Sequence, residues 1–113
     1  MKFQDNPYYY PEKSDLTLVA SVDFADCYEF DIVAVWKVNE TGQMYYAFDS
    51  GCSCPTPFED YRELDDLNPL NENTLEEFKQ VVNEQYSYRS YSMTPREKGN
   101  FLRSVTITLR KVQ

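Results

Sequence analysis

Between residues 16 and 48 apolar and polar side chains alternate in three successive runs, separated by turn residues, and few architectures accept that pattern. Leu16, Leu18, Ala20, Val22 and Phe24 hold the even positions against Thr17, Val19, Ser21 and Asp23, the period of a half-buried strand. "ADC" reverses the chain, and the even set resumes as Tyr28, Phe30, Ile32, Ala34, Trp36 and Val38. Glu29, Asp31 and Lys37 occupy the other side. Val33 and Val35 interrupt that polar side, which marks the strand as central with its second face partly covered. "NETG" at 39–42 supplies a hairpin turn, and Met44, Tyr46 and Phe48 carry a third strand to Asp49. The expectation is a three-stranded antiparallel β-meander whose apolar face needs a cover.

The rest of the chain offers helices for it. "TPFE" at 56–59, "TLEE" at 74–77 and "TPRE" at 94–97 each match a capping box, in which the threonine and the glutamate three residues on satisfy each other's amides. Proline follows the threonine in two of them, at a position where its missing donor costs nothing. A short first helix is expected over 57–67, stopped by "NPLNEN", and a second over 75–86 with Leu75, Phe78, Val82 and Tyr86 on one side. After Thr94, residues Phe101, Leu102, Val105, Leu109 and Val112 fit helical spacing. "VTITL" would also suit a strand; the preceding cap favours helix. The fold class is therefore α+β, the meander carrying two to three helices on one face, with Ile32, Trp36, Tyr46, Phe78 and Val82 in one core.

Residues 1–15, with "NPYYYPEK", lack periodicity and read as an extended N-terminal arm; residues 16–113 read as a single domain. The net charge of −8 is unevenly spread: residues 1–88 hold 18 acids against 5 bases, whereas 89–113 hold 6 bases and only Glu97. That balance argues against direct nucleic-acid binding. No apolar run suits a signal peptide or membrane span, and a cytoplasmic protein is expected.

Histidine is absent, so no Ser-His or Cys-His nucleophile pair exists. Three glycines hardly allow a phosphate loop. The paired carboxylates Glu59/Asp60 and Asp65/Asp66 are sequence neighbours that would not face one another on a helix. Cys27, Cys52 and Cys54 could give three sulfurs to zinc with Asp49 as fourth ligand, yet the CxxC spacing of structural zinc is missing. A Cys52–Cys54 disulfide would close a strained ring. Reduced thiols without metal or cofactor are the expectation, and a thiol-based redox or metal-binding protein is the alternative. Two surface features remain. The acidic segment from Glu59 to Glu77 could steer a basic partner or imitate a nucleic-acid backbone. The tyrosines Tyr8, Tyr9, Tyr10, Tyr86, Tyr88 and Tyr91 fall in or beside irregular segments, and such rings are enriched at interfaces. Partner contact is therefore expected at Glu63, Asp65, Asp66, Tyr8, Tyr9 and Tyr88.

Over its first two-thirds, at "YYYPEK", "YEFD", "YYAFDSGCSCPTPFEDY" and "LDDL", the chain resembles a family of small proteins of unknown function encoded by phages of actinobacteria. The resemblance implies no catalytic residue. It implies a setting: a non-enzymatic accessory protein in a host cytoplasm that binds, and inhibits, a bacterial protein such as a defence or nucleic-acid-handling factor, to which the acidic charge of this chain adds the expectation of a basic surface.

Overall fold

The computed structural model describes residues 1–25, 28–52, 55–88 and 94–112, without the side chains of 88 and 112. Four strands form one antiparallel sheet in the order β1-β2-β3-β4: β1 (Leu16–Asp23), β2 (Glu29–Val38), β3 (Met44–Cys52) and β4 (Asn68–Leu70). Helices α1 (Leu75–Tyr88) and α2 (Pro95–Val112) follow. The α+β class and the meander stand as expected, but the sheet gains a fourth strand where a helix stop was expected. "NPL" pairs with the start of β3, Leu70 opposite Met44. Gly42 makes the β2–β3 turn, its positive φ of 77° suiting a residue without Cβ.

Both α-helices lie on one face. Phe78 and Val82 of α1 and Phe101, Val105 and Leu109 of α2 are spaced four residues apart and bury against Val33, Val35, Met44 and Tyr46 of the sheet. The Thr94 hydroxyl accepts from the Glu97 amide (3.1 Å), and the cap starts α2 as its spacing implies. β-Branched "VTITL" is helical because Val105 and Leu109 need one face of a 3.6-residue period.

The expected single core divides in two. Tyr46, Phe78 and Val82 lie on the helix face, whereas Ile32 and Trp36 lie on the opposite face with Phe30, Ala34, Val38, Ala47 and Phe58. Strand geometry requires this, since odd and even residues of β2 point to opposite sides. A register shift between Leu18 and Ala20 divides β1 as well. Leu16 and Leu18 join Trp36, while Ala20, Val22 and Phe24 join the helix face, although all are even-numbered.

The second face is covered without an α-helix. The N-terminal arm crosses it: the Trp36 indole N–H donates to the Pro7 carbonyl (2.8 Å), and Tyr8 packs on Phe58 with ring centroids 5.2 Å apart. A 3-10 turn, Pro11–Ser14, leads the arm into β1. The expected helix over 57–67 is absent. Phe58 takes a left-handed φ of 62°, its amide donating to Asp49 Oδ2 at 2.7 Å, which breaks helical geometry at the first turn. Beyond it, the Phe3 amide donates to the Arg62 carbonyl and the Leu64 amide to the Met1 carbonyl, drawing this segment alongside the arm. A 3-10 turn, Leu64–Asp66, is all the helix that forms. Phe58, Tyr61, Leu64 and Leu67 still recur every third residue and still face the sheet.

Candidate interaction surface

The corner between β3 and the following turns is a structural joint. Gly51 lies opposite Phe30, and a Cβ there would come within 2.9 Å of the Phe30 ring, so glycine lets that ring lie flat on the strand. Asp49, proposed above as a fourth metal ligand, uses its carboxylate to accept from the amides of Ser50 and Phe58. The Tyr61 hydroxyl donates to the Phe48 carbonyl at 2.9 Å. Burial, reinforced by Asp49, Asp66 and Asp60, raises the Tyr61 phenol above its ordinary value. Cys52 is an exposed free thiol opposite Glu29; Cys27 and Cys54 lie outside the described residues. Among the described residues, no three His, Cys, Asp or Glu side chains are grouped to hold a metal ion.

The acidic residues are not on a helix, and they differ in what they do. Glu63 and Asp66 cap each other's backbone: the Glu63 side chain accepts from the Asp66 amide, and Asp66 accepts from the amides of Glu63 and Arg62. Asp65 is exposed between them, and Glu59 and Asp60 are exposed on the preceding turn. Arm and turn enclose an open groove of about 660 Å³ lined by Phe3, Asn6 and Tyr61 and by Lys2, Arg62 and Glu63. Its charge is mixed.

Tyr8 is half-buried, its hydroxyl 3.4 Å from Ser21 on β1 and its ring edge-on to Tyr9 at 5.2 Å. Tyr9 and Tyr10 are 50% and 47% exposed, with the Lys13 ammonium 4.7 Å above the Tyr10 ring. Asn6 fixes this segment by accepting from the amides of Tyr8 and Tyr9 and donating to the Pro57 carbonyl. The Asn6 amide, with Lys13 beside it, holds the Asp5 carboxyl below its ordinary value. Tyr86 lies on the helix side beneath Lys98, 4.8 Å from ring to ammonium. The Tyr88 side chain and Tyr91 lie outside the described residues.

Two features escaped the sequence reading. Asp31, expected on a polar outer side, is buried on β2, and both of its carboxylate oxygens accept from Gln85 Nε2 of α1, at 2.9 and 3.0 Å. A carboxylate between Phe30 and Ile32, at the start of an apolar run, was the available signal. The second is the basic face of α2: Arg96, Arg103 and Arg110 are exposed at helical spacing, with Ile107 exposed between them.

Among the described residues, no helix is long and apolar enough to cross a membrane. No curated protein and no solved structure matches the chain. A family model matches residues 5–111, beginning within the arm and ending within α2, and the chain belongs to that family, the domain of unknown function DUF7574.

Proposed function

We propose that this protein acts by binding, as an accessory protein of the phage-encoded kind it resembles, and that its target is a bacterial host protein that it inhibits in the host cytoplasm. The observation that carries this reading is the tyrosine rim of the arm. Tyr9 and Tyr10 present half their surface to solvent on a segment tied down by Asn6, Pro7 and the Tyr8–Phe58 contact. Preorganised aromatic rings are the side chains that most often anchor an interface, because little rotamer freedom is lost when they bind. Exposed Glu59, Asp60 and Asp65 supply negative charge to speed encounter with a basic surface.

The division among the acids shapes the test. Replacing Glu63 or Asp66 removes backbone caps, whereas Asp65→Asn and Glu59→Gln leave the turn's hydrogen bonds in place. With the protein immobilised in an actinobacterial lysate, a retained host protein should be lost with Tyr9→Ser/Tyr10→Ser. It should associate more slowly, with weaker salt dependence, when Asp65→Asn and Glu59→Gln are combined. Cys52→Ser/Cys54→Ser should bind as the parent does. A folded cysteine variant that alone loses function would replace this reading with the thiol one.

A further inference from the structure

The sheet has two edges, and they are guarded unequally. β4 is three residues long and carries Pro69, both common ways of closing an edge to foreign strands. β1 is eight residues long, pairs only with β2 among the described residues, and carries no charge or proline from Leu16 to Val22. Among the described residues, its bulge and the acids at its two ends are the protective devices it shows. The acids at either end turn inward: Asp15 Oδ1 accepts from Asn39 Nδ2, and Asp23 Oδ1 accepts from the amides of Ala25 and Asp31.

The phase of the ladder shows which groups face out. The Phe24 amide donates to the Asp31 carbonyl of β2, so at period two the amides of Val22 and Ala20 also face β2. Those of Ser21 and Asp23 face away from it. Both flanks of this edge carry recognition chemistry. On the arm face, Tyr8 touches Ser21 and Tyr9 packs edge-on against Tyr8. On the helix face, α2 lies over β1. Phe101 turns toward α1, 6.1 Å from Phe78. At 100° per residue, the opposite flank of α2 runs through Leu102 and Thr106 to Arg103 and Arg110, which are exposed.

We infer that the β1 edge is a docking site for an extended, acidic segment of another protein, which adds to the sheet as a fifth strand. Main-chain hydrogen bonds to Ser21 and Asp23 hold the segment, and its carboxylates meet Arg103 and Arg110. A second copy of this chain is disfavoured as occupant, because pairing β1 with β1 would bring the two basic α2 flanks toward each other. The site adjoins the tyrosine rim of the reading above without resting on it, and its test uses neither Tyr9 nor Tyr10.

The full chain is titrated with a synthetic ten-residue peptide that alternates threonine or valine with glutamate and is blocked at both ends. Amide exchange at Ser21 and Asp23 should slow at least tenfold at saturation, while Val22, already in the ladder, changes little. Substituting lysine for glutamate in the peptide, or Arg103→Glu/Arg110→Glu in the protein, should weaken binding at least tenfold. N-methylating the peptide at alternate residues should abolish it. Equal binding of the lysine peptide, no protection at Ser21, or self-association through β1 in the absence of peptide would each overturn the assignment.

Discussion

The two faces of the sheet are closed by different means. On one, α1 and α2 bury regularly spaced residues against Val33, Val35 and Tyr46, and each helix satisfies its own backbone. On the other, an arm and a chain of turns bury Trp36, Ile32 and Phe58, and their backbone groups must find partners one by one. Asp49, Asn6, Asp66 and the Phe3–Arg62 pairing supply those partners. Helices can cover a sheet with apolar residues alone. Irregular segments need polar side chains at fixed positions as well, which is why acids that resemble a charged surface serve here as internal supports.

The largest expected effects test whether the second face is a core of equal weight. Phe58 and Phe78 are both fully buried, one on each face. Phe78→Ala and Phe58→Ala should each lower stability to urea by about 3–5 kcal/mol. A loss for Phe58→Ala several times smaller would reduce the arm face to a loose covering.

Next in size is the joint. Asp49→Ala leaves the amide of left-handed Phe58 without its carboxylate, and about 1–3 kcal/mol should be lost in the same measurement. Smaller and opposite in sign is Gly99→Ala in α2, where an added Cβ meets no atom within 4 Å. Helix propensity alone should then raise stability by about 1 kcal/mol.

These contrasts explain what was legible in the sequence. The helix face could be read because α1 and α2 repeat on a single period and Thr94 caps the second. β1 to β3 could be read for the same reason, at period two. The arm face could not, because its order comes from contacts between residues far apart in sequence, such as Pro7 with Trp36 and Asp49 with Phe58. "TPFE" matches a capping box, yet the Glu59 amide donates to the Thr56 carbonyl and not to its hydroxyl, and Phe58, held by Asp49, turns left-handed. Of the two tyrosines expected at a partner contact on the arm, Tyr8 is half-buried against Phe58 and Tyr9 stands out into solvent. Glu63 and Asp66 looked like free charge because a sequence shows an acid without showing which amide it faces.

The most gradual effect is alkaline. Burial raises Tyr46 on the helix face, helped by Glu77, and burial with three nearby acids raises Tyr61 on the arm face. The folded protein therefore holds both phenolic protons more tightly than the unfolded chain, whose tyrosines titrate near about pH 10. Their contribution is fully present below that pH and is lost as pH rises through the raised folded values. Urea midpoints measured from pH 8 to 11 should fall above about pH 10, and less steeply in Tyr61→Phe.

Trp36 offers the most direct test of the two-core account, because it is the chain's single tryptophan, is fully buried on the arm face and is bonded to the arm through Pro7. Acrylamide quenching of its fluorescence should be compared in the full chain and in a chain lacking residues 1–10. The full chain should show a blue-shifted, strongly shielded indole, and the shortened chain should lose both the shift and the shielding. A shortened chain that keeps the shielded spectrum and the parent's stability would contradict the account, leaving the arm an appendage on a sheet with only one core.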